Sequence, residues 1–297
     1  MISHLSLQEK DTLSQSVSLH TDKNNFEFLI IKHKNFDAAL TLHGAHLIHF
    51  QPKDQAPIIW VSKNTTFKND VAIRGGVPVC WPWFGPAAKS EFKKLPNHGF
   101  ARTSKWSLKD IQESSESLTL ELSLQDSAET LELWPFNFEL VLKITFSDTV
   151  KLELISKNTG TETFTYRAAL HSYLNISSTE KCLISGLNTN RKNMLNGGEV
   201  EIGNGRLQID GPIDAIYEKS QNNIYVDDKG FNRQLEISNL ENDSEVVWNP
   251  WIEGAKAFSD MPDDGYKTML CVESAITREE GQSISAEKSH TLTTIIG

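Results

Sequence analysis

Arg74 and Arg102 are the first residues in this chain to suggest chemistry. Arg74 opens the segment RGGVPVCWPWFGP, which ends at Pro86, and Arg102 closes NHGFAR, which begins at Asn97 and contains His98. A guanidinium stays cationic at any physiological pH, and its planar fork matches phosphate and other oxyanions. Trp81, Trp83 and Phe84 add flat apolar faces of the kind that stack on sugar rings. Gly75, Gly76, Pro78, Pro82, Gly85 and Pro86 exclude a regular helix or a central strand, so the segment reads as a loop. A buried loop that packs its aromatics and pairs its arginines with structural carboxylates accounts for the same residues equally well.

Two strand-like segments carry proton-transfer chemistry. In RAALHSYLNI, alternation puts Ala169, His171 and Tyr173 on one face and Leu170, Ser172 and Leu174 on the other. In KTMLCVESA, Met269, Cys271 and Glu273 share a face, with Leu270 and Val272 opposite. An imidazole and a carboxylate on otherwise apolar strands suit an acid–base pair, since burial lowers the histidine pKa and raises that of the glutamate. A hydrogen-bonded core histidine and an edge glutamate are the plainer alternatives. Asp214 in GPIDAIYE suits a sugar hydroxyl or a turn, and Asp260 in FSDMPDDGY is equally divided. Trp248 and Trp251 in VVWNPW fit either a sugar-binding wall or a packed corner. On a strand, His43 and His46 face opposite ways, so no metal site is assigned to them or to His49. The sequence contains no phosphate-binding loop, dinucleotide fingerprint, nucleophile elbow or EF-hand loop, and no cofactor is expected.

Composition narrows the field further. The formal charge of −10 over 297 residues argues against nucleic acid and anionic membrane partners, while leaving room for a local arginine pair to bind a small anion. Cys80, Cys182 and Cys271 are too few and too scattered for a disulfide framework or a zinc motif. No apolar run is long enough to span a bilayer, and the polar N-terminus lacks a signal core. A cytoplasmic protein is expected.

The elements that must position these residues are strands. In SLTLELSLQ the four leucines from Leu118 to Leu124 alternate with polar residues. The pattern recurs in NFELVLKITF and VKLELIS, which reads as half-buried antiparallel strands. Further candidates are FEFLIIKHKNFDAAL, HGAHLIHFQP, NNIYVDD, RQLEISN and SEVVWNPW, punctuated by turn clusters such as NTGTE and DDKG. Helical periodicity is scarce, with short helical turns expected near 54–64 and around 184–188. The expectation is all-β: one large antiparallel sandwich over 1–297, with an N-terminal arm of residues 1–12 free to fray.

The order of the segments is itself specific. RGGVPVCWPWFGP, NHGFAR with Trp106 after it, LHSYL, Asp214-x-x-Tyr217, VVWNPW, then Asp260-Met261 and MLCVE resemble the D-hexose-6-phosphate 1-epimerases. These form the YeaD-like branch of the aldose 1-epimerase (galactose mutarotase) superfamily, and the likeness covers roughly residues 25–295. The resemblance implies a galactose mutarotase-like β-supersandwich and cofactor-free interconversion of the α and β anomers of a hexose 6-phosphate, in a monomer. It also implies that His171 is the general acid and Glu273 the general base. Arg74, Asn97, His98, Arg102 and Asp214 would bind substrate, the arginines at its phosphate. Two positions depart from the pattern: Asn97 stands where relatives often have Gln, and Ala215 where they commonly have Arg. A non-catalytic sugar-binding module and a two-carboxylate glycoside hydrolase remain the alternatives.

Overall fold

The computed structural model of the protein describes residues 5–87 and 95–297. Its two largest sheets have nine and eight strands, and every pairing between named strands is antiparallel. The three clearest sequence patterns become neighbours towards one end of the nine-stranded sheet, as Leu118–Gln125, Phe138–Phe146 and Val150–Asn158. Phe138, Leu140, Leu142, Ile144 and Phe146 are all buried, with half-exposed residues between them. Fully burying one such side chain contributes roughly 1.5–3 kcal/mol, and a one-residue slip would turn the whole set to solvent. The hydrophobic pattern therefore fixes the register.

The eight-stranded sheet positions the site. It includes Asn190–Asn193, Ile213–Glu218, Ser244–Asn249, Met269–Ile276 and Ala168–Leu170, with Tyr173–Asn175 also paired to Met269–Ile276. Its two faces are segregated by the period of two. Leu170, Ala215, Val247, Leu270 and Val272 join the main core with the nine-stranded sheet. Tyr173, Met269 and Cys271 turn the other way, onto a second apolar cluster with Trp60, Met261 and Tyr266. The antiparallel all-β sandwich expected from sequence is the fold observed.

Three local features differ from expectation. Residues 8–12 of the arm form an edge strand, Gln8–Thr12, paired with Val17–Thr21, while residues 1–4 lie outside the described part. The segments 54–64 and 184–188 hold no helical turn. Ile59 and Val61 bridge to Leu174 and Gly75, and Cys182–Ser185 is a strand, so pairing with distant chain overrides local tendency. The α-helices among the described residues are Ala128–Leu133 and Trp251–Ala257. The first is started by a reciprocal cap between Ser127 and Thr130.

Candidate active site

A cleft of about 770 Å³ opens over the second face of the eight-stranded sheet. Its floor is built by register. Asp214 pairs with Trp248, Trp248 with Cys271, and Cys271 with Tyr173, so these four residues form one row across four strands. Glu273 lies two residues beyond Cys271 on the same face. The strand Ala168–Leu170 breaks after Leu170 and resumes at Tyr173 in the same register, which brings His171 opposite Glu273. Their facing atoms, His171 Nδ1 and Glu273 Oε1, are 3.3 Å apart but not aligned for a hydrogen bond.

This pair is buried and poised. Glu273 is 1 % exposed and His171 9 %. Burial drives the Glu273 carboxyl well above the ordinary carboxylate value, and the nearby Asp214 charge adds to the effect. Burial likewise drives His171 well below the ordinary imidazole value, reinforced by His98, Arg102 and Arg74. Both shifts favour a neutral pair with one titratable proton, held on the carboxyl. Aromatic packing fixes the imidazole: it stacks on Tyr173 at 4.8 Å and 9°, Tyr173 stacks on Trp60, and Trp248 meets both His171 and Tyr173 edge-on.

Loops supply the other wall, and two glycines make them possible. A Cβ on Gly76 would overlap His46 Nε2 and the Leu47 carbonyl, and one on Gly99 would overlap the Trp81 carbonyl; both have φ near +70°. His46 donates from Nε2 to the Gly75 carbonyl at 2.7 Å, and burial holds its pKa down at about 3. His43 Nε2 is 2.9 Å from the Val71 carbonyl. These histidines anchor the turn that carries Arg74.

The two arginines differ in how they are held. Arg74 Nε lies 3.1 and 3.2 Å from the Asp260 oxygens, its Nη1 is 3.4 Å from Tyr173 Oη, and its guanidinium sits 4.3 Å over Phe258. Arg102 donates from Nη2 to the Asn97 carbonyl at 2.9 Å, and its buried Nε has no partner among the described residues. His98 has φ +63°, a strained conformation for a residue with a side chain. Its Nδ1 accepts from Gly85 N–H at 3.2 Å, which leaves Nε2 carrying the proton, and its pKa is pushed down to about 4, mainly by burial.

Seven residues singled out from sequence line this one cleft: Arg74, Asn97, His98, Arg102, His171, Asp214 and Glu273. The aromatic expectation is met by Phe84 and Trp248, whereas Trp81 is buried in the main core, Trp83 lines a separate pocket and Trp251 packs against the core clusters. Asn97 is exposed at its edge, and burial raises the pKa of Asp214. Ala215 is buried in the main core, on the face opposite Asp214, so the missing arginine takes no group from the cleft. Sequence reasoning missed Arg167 and Lys192, two further cations on the cleft wall, and Tyr173 and Phe258 as its apolar supports. Arg167 directly precedes the Ala168–Leu170 strand, a placement visible in sequence only after that strand is joined to the site.

A cleft with a buried imidazole–carboxylate pair, aromatic side chains and two arginines, on an antiparallel β-sandwich, fits a sugar-isomerising class of protein. The aldose 1-epimerase family model matches residues 27–297, and the chain belongs to that family of isomerases. It is 36% identical over 266 residues to an Escherichia coli (strain K12) protein provisionally named glucose-6-phosphate 1-epimerase, covering 89% of this chain and 88% of the relative. A Cenchrus ciliaris protein with the same provisional name is 29% identical over 82% of this chain and 75% of its own. The crystal structure of YeaD from Salmonella typhimurium, provisionally described as a mutarotase, superposes with a TM-score of 0.92 at 32% identity, covering 98% and 96% of the two chains.

Proposed function

We propose that the protein interconverts the α and β anomers of a hexose 6-phosphate, glucose 6-phosphate foremost, with His171 and Glu273 as the proton-transfer pair. The observation that carries this reading is their apposition at 3.3 Å beneath a cleft whose other wall bears Arg74 and Arg102. Glu273 as carboxylate takes the proton from the C1 hydroxyl, and protonated His171 gives one to the ring oxygen. The O1–H electron pair becomes the C1=O bond, and the C1–O5 pair becomes the new O5–H bond. Rotation about C1–C2 presents the other face of the aldehyde, and the two transfers reverse. No net proton is gained or lost.

The phosphate has an electrostatic part in this scheme. Charge on Arg102 and Arg74 helps to hold His171 unprotonated, so a dianion beside them relieves that repulsion. The single proton of the pair then moves from Glu273 to His171, which creates the working base and acid together. Arg102 presents the freer donors, whereas Arg74 keeps its bond to Asp260 and orients what it binds. His98 Nε2–H and Asp214 hold hydroxyl groups, and Trp248 lies along the sugar. Three buried free cysteines suit a reducing cytoplasmic setting.

Exchange spectroscopy by NMR on equilibrated glucose 6-phosphate tests the proposal. Enzyme-dependent exchange between anomer signals, lost in Glu273→Gln, is expected. Ligand shifts without exchange would instead indicate a binding protein, and release of an aglycone from a glucoside would indicate a hydrolase.

A further inference from the structure

We propose that His171, Cys271 and Glu273 together form a binding site for a thiophilic divalent cation, zinc foremost, which shuts the acid–base pair when bound. One nitrogen, one sulfur and one carboxylate oxygen from these residues all lie within 4.8 Å of one another. Ligand distances of about 2.0–2.3 Å place the donors of a tetrahedral zinc ion roughly 3.3–3.8 Å apart. The present spacing is therefore slightly open, within reach of a side-chain rotation of Glu273.

A second observation points to a ligand at the same place. His171 Nδ1 and both Glu273 carboxyl oxygens are buried without a hydrogen-bond partner among the described residues. Buried polar atoms left this way cost free energy, and a cation would satisfy His171 Nδ1 and one of the two carboxyl oxygens. The three side chains stand on paired strands, with Cys271 and Glu273 on one face and His171 across from them, so little backbone order is lost on binding. Cys271 is the fully buried member of the floor row, and His171 and Glu273 line the open cleft beside it. An ion would enter from the cleft and keep its fourth position for water or a sugar hydroxyl.

The donor set selects the ion. A thiolate and an imidazole with a single carboxylate suit zinc, cobalt or cadmium, and fall far short of the six or more oxygens that calcium prefers. Binding releases protons from the thiol and the carboxyl to solvent, and the two anions match the doubly charged ion. The bound ion occupies the lone pairs on both members of the pair, so it acts as an inhibitor. That inhibitory consequence rests on the epimerase reading; the binding itself does not.

Titrating chelator-treated protein with cobalt(II) tests the site directly. A near-ultraviolet thiolate-to-cobalt absorption band is expected, displaced stoichiometrically by zinc. Cys80→Ser should keep the band, since Cys80 lies outside the cluster. Cys271→Ser should abolish it, and Glu273→Gln should weaken cobalt affinity by about ten-fold or more. In the exchange assay, zinc should inhibit the wild type, and the activity that remains in Cys271→Ser should be about ten-fold or more less sensitive to zinc. Absence of the band in folded wild-type protein overturns the site, as does its survival in Cys271→Ser. A band without zinc inhibition overturns the regulatory half. A band in a protein with no exchange activity keeps the site and removes only the epimerase reading.

Discussion

His171 and Glu273 stand on a sheet, whereas Arg74, His98 and Arg102 stand on loops that curl over it. The sheet side is rigid by construction: Glu273 sits within an eight-residue strand buried along its whole length, and His171 is stacked on Tyr173 and met edge-on by Trp248. The loop side depends on glycines at positive φ, a strained His98 and histidines bonded to turn carbonyls. Proton transfer tolerates little misplacement, since roughly an ångström of error costs about 100-fold. Recognition of a phosphate tolerates more, because charge acts over distance. The molecule places each task on the element whose stiffness suits it.

The sharpest break in that contrast is expected on the sheet side. Glu273→Gln and His171→Gln should each lower kcat for anomer exchange by about 10²–10⁴-fold, with much smaller changes in substrate binding by titration calorimetry. The same Glu273→Gln change should raise thermal stability at pH 8. The folded carboxyl has a raised pKa, so its contribution to stability is present below the ordinary value near 4.5 and is lost as pH rises towards the folded value. Melting curves should therefore separate at pH 8 and converge near pH 4. Near-wild-type exchange in Glu273→Gln would remove the carboxylate from the mechanism.

On the loop side the effects should be selective. Arg102→Ala is expected to lower kcat/KM for glucose 6-phosphate by roughly 10- to 100-fold, the range for a lost charge-assisted contact, with little change for glucose. Arg74→Ala should weaken turnover of both sugars and lower the melting temperature, because it also releases Asp260, Tyr173 and Phe258. Equal effects of Arg102→Ala on both sugars would reduce Arg102 to a structural residue.

This contrast also explains what the sequence discloses. Strand faces are legible wherever one side meets the core, as in Phe138–Phe146, because burial imposes a period of two. The same period correctly puts Cys271 and Glu273 on one face. It is silent on the apposition of His171 and Glu273, which arises from pairing between segments a hundred residues apart. Residue type marks Arg74 and Arg102 as anion ligands, but which of them has free donors depends on Asp260, a distant turn residue. The helix Trp251–Ala257 escapes detection because two turns are too short for periodicity and its N-cap is Pro250. Helical turns wrongly expected at 54–64 belong to chain drawn into bridges with Leu174 and Gly75.

Histidines that brace the loops give a pH test of the loop side. His46, with a folded pKa of about 3, and His98, at about 4, are both lowered chiefly by burial. A lowered folded value means that the unfolded chain takes up protons first as pH falls below 6.5. Stability should therefore decline from pH 6.5 towards pH 4, and His46→Gln should flatten that decline in urea titrations at pH 7 and pH 5. An unchanged slope would mean that other groups, such as His49 with a value of about 4, set the acid limit.

The smallest expected effect falls at Tyr173, the residue where the two sides meet. Its ring stacks on His171, and its hydroxyl, 3.4 Å from Arg74 Nη1, is a long and therefore weak acceptor. Burial pushes the phenol far above its ordinary value, so it remains neutral and takes no part in proton transfer at working pH. Tyr173→Phe keeps the stack and removes only the tie to Arg74, a loss of about 0.5–1.5 kcal/mol, or roughly two- to ten-fold. That loss should appear in KM, because Arg74 still holds Asp260 but drifts from its best orientation. A fall in kcat with KM unchanged would mean that the hydroxyl steers His171, and that the loop and sheet sides are coupled in the chemical step.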